Sequence, residues 1–145
     1  MATRGIVATL AVPLALAAVG AARSQNGDDM RSALTGVYTT AQAARGEQTY
    51  FNICVACHPR GTYSTDAFKT TWSGRPISDL FEAVKERMPK SDPGSLTPDE
   101  AAQVLAYILK INDVPAGEAD LPSDLAALKR IKFETPGPDA GKAAR

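Results

Sequence analysis

All the cysteine and histidine in this chain lies within five consecutive residues. Cys54 and Cys57 are its two cysteines and His58 its single histidine, in the run Cys54-Val55-Ala56-Cys57-His58. Positions three and four apart on a helical turn project to one face, so this spacing sets two thiols and an imidazole side by side. A thioredoxin-like redox pair would expect a β-α-β context, and no strand pattern precedes Cys54. A structural zinc site needs about four Cys or His ligands, and this chain has three, two of them adjacent. A plain disulfide would close a very short loop and leave His58 without a role, and a chance match is the last alternative.

The pattern C-x-x-C-H is the signature of covalent haem attachment. Two thiols on one face can bond to the two vinyl groups along one edge of a porphyrin, and the next side chain, His58, then reaches the iron as proximal ligand. Composition agrees with a bulky apolar cofactor. The 145 residues fit one domain, yet only 6% are aromatic, with one Trp, four Tyr and four Phe. So small a core is marginal unless something large fills its centre. Sixteen basic and sixteen acidic residues cancel, which gives no argument for nucleic acid as a partner.

The N-terminus reads as an export signal over residues 1–22. Arg4 supplies the positive start, Ile6 to Val19 is an uncharged apolar run, and Gly20, Ala21 and Ala22 offer cleavage sites. The run is shorter than the ~20 residues a membrane span requires. A retained N-terminal anchor and a core helix are the rival readings. No cysteine lies nearby, so the chain is not read as a lipoprotein. Export places the protein in the periplasm, with no membrane span in the mature chain, and a covalent tether suits an exported protein because the cofactor cannot be lost.

Residues 23–35 read as a flexible lead-in, 36–112 as the main domain, 113–133 as a C-terminal extension packing on it, and 134–145 as a disordered tail. Thr39 to Cys54 is expected to be helical, with Ala41, Ala44, Tyr50, Phe51 and Cys54 recurring at offsets of three and four. Pro59 to Thr71 is rich in Gly, Thr, Ser and Pro and is expected to be loop. Pro76 to Met88 reads as a second helix with Ser78 as its cap, ended at Met88-Pro89 because the residue before a proline avoids helical dihedrals. Lys90 to Ser95 is turn-rich. Thr97-Pro98-Asp99-Glu100 is a capping box opening a helix to about Asn112 that buries Ala101, Val104, Leu105, Ile108 and Ile111. Val114 to Pro122 reads as an extended linker, and Ser123 to Lys132 as a short amphipathic helix. No strand of useful length is expected. The fold class is all-α.

A sixth iron ligand is the remaining requirement. With one histidine, bis-histidine ligation within the chain is excluded. The methionines are Met1, Met30 and Met88. Met88 stands at a helix end before a proline loop, on a segment able to cross the far face of the ring, although a methionine there could also simply fill a core gap. Lys85 and Lys90 are poor competitors, since each must lose a proton to bind. A thioether opposite an imidazole favours ferrous iron and raises the potential. It also closes the coordination shell, which points to electron transfer rather than enzymatic catalysis.

Together these residues make the sequence similar to the class I c-type cytochromes, the small bacterial periplasmic monohaem family with His and Met ligands. Gly46-Glu47-Gln48-Thr49-Tyr50-Phe51 leading into Cys54-Val55-Ala56-Cys57-His58 resembles that family's N-terminal helix. Ala101, Val104, Leu105, Ala106, Tyr107 and Ile108 resemble its C-terminal helix, and Met88-Pro89 its distal loop. The resemblance covers about residues 36–133. It implies a cytochrome c fold of three main helices around one covalent haem c, with Gly46 allowing a close helix crossing, Tyr50 or Phe51 as the aromatic after it, and Tyr107 at the crossing. It implies Cys54 and Cys57 as thioether tethers and His58 and Met88 as axial ligands. It also implies a backbone carbonyl accepting from the free ring N–H of His58. The extension after Asn112 and Pro59 directly after His58 depart from the family.

The function expected is a periplasmic single-electron carrier, cycling iron between Fe(III) and Fe(II), fed by a dehydrogenase and emptied by an oxidase or another cytochrome. Asp92 to Thr97 is also similar to cytochromes that accompany quinoprotein or molybdenum dehydrogenases, so a tightly bound subunit is an alternative, with Val114 to Phe133 as a docking strap. A gas-binding or peroxidatic haem protein is another, if Met88 only packs. Trp72 and Arg75 are read either as haem-propionate donors or as ordinary core and surface residues. Lys85, Arg87 and Lys90 form either a basic rim for an acidic partner or a solvated face.

Overall fold

The protein is described here from a computed structural model, which covers residues 30–137. The signal-peptide reading of residues 1–22, and the parts of the lead-in and tail at 23–29 and 138–145, lie outside the described residues.

Two helices define the centre. Helix α1 (Thr40–Thr49) is capped by Thr39, whose hydroxyl accepts from Gln42 N–H. It crosses α4 (Pro98–Ile111), the longest helix described. The start of α4 is a full capping box: Thr97 Oγ1 accepts from Glu100 N–H, and the Glu100 carboxylate accepts from Thr97 N–H at 2.8 Å. Gly46 makes the crossing possible. A Cβ there would stand 1.8 Å from the carbonyl oxygen of Gln103, so the two backbones touch where any other residue would hold them apart. The buried stripe of α1 is Gln42, Ala43 and Gly46, continued by Tyr50 just past its end. The sequence pattern pointed one residue aside, to Ala41 and Ala44, which are exposed. Hydrophobicity misled there because the contact face carries a glycine and a glutamine.

Helix α4 buries Ala101, Ala102 and the unbroken run Val104 to Leu109. It is enclosed on more sides than a surface helix because α1, α3 and the turn at Thr62–Ser64 all pack against it. Helix α3 (Ile77–Arg87) buries Ile77, Ser78, Leu80 and Phe81. Its N-cap is Pro76, not Ser78, which lies inside the first turn and is 2% exposed. Met88 ends it in extended conformation (φ −127°, ψ 152°), as a residue before proline should. The Met88-Pro89 bond is cis.

Between these helices the expected loop at 59–71 is partly helical. A 3-10 turn spans Thr62–Ser64, and α2 (Asp66–Trp72) follows, with Thr65 as N-cap accepting from Phe68 N–H. The start signal, a threonine followed by Asp66, was present but is outweighed by β-branched threonines when propensity alone is read.

The extension is integral to the fold. Val114, Leu121, Leu128, Ile131 and Phe133 join the same hydrophobic core as α1 and α4. Tyr38 hydroxyl donates to Val114 O at 2.7 Å, and Gly117 N–H donates to Tyr38 O at 2.7 Å. Gln42 makes a reciprocal pair with Leu121, donating to its carbonyl at 2.9 Å and accepting from its N–H at 2.7 Å. Arg45 pairs with Asp120 at 2.8 Å. The amphipathic helix expected to Lys132 is one short turn, α5 (Leu125–Leu128), capped by Asp124. The chain beyond it extends into β2 (Ile131–Lys132), parallel to β1 (Arg31–Ser32). Two-residue strands give no alternation to read. The same pairing orders Arg31 to Thr35, read as lead-in, and the adjacent Ala33 is fully buried.

Candidate functional site

The thiol-imidazole run leaves α1 through a π-helical turn, Tyr50–Cys54, in which Val55 N–H reaches back five residues to Tyr50 O at 3.0 Å. Such widened turns often occur where a helix must re-aim side chains. The carbonyl of Cys54 then accepts from Cys57 N–H (3.2 Å) and His58 N–H (2.9 Å). That tight turn carries Cys54, Cys57 and His58 together to the rim of one cavity of about 360 Å³.

The cavity is walled by Tyr50 and Ile53 from the same turn, Tyr63 from the 3-10 turn, Val84 from α3, and Val104 and Ile108 from α4. Met88, Pro89, Lys90 and Ser91 close it from the segment after α3. Its size lies within the range of cofactor and ligand pockets, and most of its wall is apolar. All four residues expected to hold the cofactor, Cys54, Cys57, His58 and Met88, therefore border one space. Met30 is half-buried at the start of the described chain and does not line it. Met1 lies outside the described residues.

Both cysteines are free thiols, Cys54 half-buried and Cys57 exposed. Burial pushes the Cys54 thiol above its ordinary value, which disfavours the thiolate that disulfide exchange needs. Tyr50, 1% exposed, donates its hydroxyl to the carbonyl of His58 at 2.6 Å. The ring of Tyr63 packs on the His58 ring with centroids 5.4 Å apart and planes at 41°. Burial, then the neighbouring Tyr50 and Cys54, pushes the Tyr63 phenol up to about 12. Asn112, at the C-cap of α4, donates to Tyr63 O at 2.7 Å. Sequence reasoning gave Tyr63 and Asn112 no role, and it placed Tyr50 only as an aromatic after Gly46. Nothing in local pattern marks a side chain whose partner lies 49 positions away.

Trp72 and Arg75 do not line the cavity. The Arg75 guanidinium stacks on the Trp72 ring at 4.4 Å and pairs with Asp79 at 2.8 Å. Of the expected basic rim, Lys90 borders the cavity, Lys85 donates to Gly94 O at 3.1 Å, and Arg87 is exposed.

The residues present fit a covalently held haem. Two thiols, one imidazole and one thioether around an apolar space are the donors that group takes. No helix among the described residues is long and apolar enough to cross a membrane.

Residues 41–108 match a protein-family model described as cytochrome C oxidase, cbb3-type, subunit III. No curated protein and no solved structure matches the chain. The matched segment contains the thiol pair, the imidazole and Met88, and it runs from the first turn of α1 into the last turn of α4. The match indicates a c-type cytochrome domain over that segment, in keeping with the all-α fold, and domains of this kind carry covalently attached haem c and transfer electrons rather than catalyse reactions.

Proposed function

We propose that this protein is a periplasmic one-electron carrier, in which Cys54 and Cys57 would tether the haem as thioethers and His58 and Met88 would ligate its iron. The observation that carries this reading is the convergence of those four side chains on one apolar cavity. When bound, haem supplies a single-electron couple between Fe(III) and Fe(II). The chain does the rest. The turn held by the Cys54 carbonyl presents both thiols and the imidazole together. Val84, Val104 and Ile108 give the cavity an apolar wall, and an apolar setting with a thioether ligand would favour the reduced state. The segment from Met88 to Ser91 lines the same cavity, and a thioether bound from it would leave no open position for substrate.

Export rests on Arg4 and the apolar run Ile6 to Val19. In the periplasm the carrier takes electrons from a dehydrogenase and delivers them to an oxidase or another cytochrome. Lys90 at the cavity rim, with Arg87 and Lys85 nearby, favours an acidic partner, whose docking salt should weaken.

A second reading is a permanent subunit of a larger enzyme. The description of the matched family, an oxidase subunit, favours it. The extension does not, since Val114, Leu121, Leu128, Ile131 and Phe133 are spent inside the domain rather than offered as a strap. Co-purification with a larger complex separates subunit from shuttle.

The test of the ligand set is an absorption spectrum of protein matured with haem, oxidised and reduced, beside Met88→Ala. A low-spin spectrum with the weak far-red thioether–iron band, lost in the variant, supports the carrier. A high-spin native protein that binds carbon monoxide readily would instead favour a gas-binding or peroxidatic role.

A further inference from the structure

Asn112 is a polar residue sealed in the core, 1% exposed. Its amide donates twice, to Ile108 O and to Tyr63 O, each at 2.7 Å. Its Oδ1 has no hydrogen-bond partner. The bond to Ile108 is a local one: that carbonyl is among the last four of α4, which no helical N–H can satisfy. The bond to Tyr63 serves no helix. It ties the end of α4 to the 3-10 turn that follows the haem-attachment motif.

Tyr63 is the residue in that turn whose ring packs against His58. The same ring meets Tyr50 edge-on at 6.2 Å and Phe68 at 5.4 Å. His58 is thus held twice: Tyr50 grips its backbone carbonyl at 2.6 Å, and Tyr63 covers its ring. Asn112 fixes Tyr63 by the backbone, leaving the aromatic ring free to act as a wall. A buried acceptor without a donor opposes folding, and an aliphatic side chain at 112 would avoid that cost. It could not hold Tyr63.

We propose that Asn112 is a positioning residue for the proximal imidazole, acting through Tyr63 to set the orientation of His58 and to keep water from it. The inference rests on His58 as the iron ligand. Partners that orient a ligating imidazole tune the metal they never touch. Loosening this one admits water beside the ligand, and solvent favours the more highly charged ferric state.

Asn112→Ser separates this role from helix capping. A serine hydroxyl can still bond the carbonyl four residues back, so the Ile108 bond survives, but serine is too short to reach Tyr63. We expect Asn112→Ser and Tyr63→Leu in the haem-loaded protein to shift the oxidised-to-reduced ratio against a fixed redox mediator toward ferric. The shift should be about three- to tenfold, tenfold being about 59 mV for a one-electron couple. The double variant should shift no further than the larger single one, since both remove the same support. Thermal unfolding is followed in parallel. Melting temperatures that fall while both ratios stay within about twofold of wild type would make Asn112 a cap only and overturn the proposal; so would two shifts that simply add. A wild-type protein lacking a low-spin haem c spectrum overturns the ligand assignment and this inference together. A low-spin wild type with unshifted variants overturns this inference alone.

Discussion

Replacing Gly46 by alanine tests the closest backbone contact between the two central helices. The added Cβ would sit 1.8 Å from Gln103 O, 2.3 Å from Gln103 C and 2.9 Å from Val104 N. All three are backbone atoms of α4 and cannot rotate away, so the helices must part by at least ~1.2 Å to reach even a tight carbon–oxygen contact. On helix propensity alone the change would stabilise α1 by about 0.5–1 kcal/mol. Against that, a gap of ~1 Å forfeits a quarter to a half of each contact along the crossing, and forced overpacking costs about 1–3 kcal/mol or more. The rigid obstacle puts this site at the upper end, for a net loss of about 2–3 kcal/mol. In a domain of this size that is a fall of roughly 10 °C in Tm. The assay is thermal and denaturant unfolding of the haem-loaded protein followed by far-UV circular dichroism, with Ala44→Gly on the exposed face of the same helix as the control. Propensity predicts opposite signs for the two changes, whereas the crossing predicts that both destabilise, Gly46→Ala more. A Gly46→Ala protein as stable as wild type would refute the account of the crossing.

Three further outcomes follow from the polar contacts. Gln42→Ala should cost about 2–4 kcal/mol in denaturant unfolding, because it strands both the buried N–H and the buried carbonyl of Leu121; a loss below that of an ordinary surface alanine would show that the extension does not depend on this pair. Thr97→Ala should cost about 1 kcal/mol through the lost N-cap. The Glu100 carboxyl is held below its ordinary value by the Thr97 backbone N–H and then by the Thr97 hydroxyl. Its contribution is therefore fully present above the ordinary glutamate range and is lost as pH falls through the lower folded value. The stability gap between wild type and Glu100→Gln should close as pH drops below about 4, and a gap that widens would reverse the assignment.

Much of the architecture was legible because its signals are local. Thr97-Pro98-Asp99-Glu100 marks a helix start by itself, and Met88-Pro89 marks a stop by a steric rule; both stand where the sequence put them. The errors share a different cause. At α1 the apolar pattern selected Ala41 and Ala44, whereas the buried face holds Gly46 and Gln42. A glycine that admits a partner backbone and a glutamine that bonds Leu121 carry no hydrophobic signature. The β1–β2 pairing joins residues a hundred positions apart through two-residue strands, too short for any alternation to register.

The site divides along the same line. Cys54, Cys57 and His58 are readable because their chemistry requires fixed spacing on one helical turn. Met88 is singled out by elimination and by its position before a proline, and the structure sets it on the cavity beside the other three. Tyr50, Tyr63 and Asn112 are not readable, because what they do depends on distance in the fold rather than in the chain. Tyr50 reaches the His58 carbonyl only because the π-helical turn carries the chain round to it, and Asn112 reaches Tyr63 only because α4 ends beside that loop. Residues that bind a cofactor obey its stereochemistry and so leave a motif. The residues that orient the binders answer to the packing of this one fold, and packing leaves no motif.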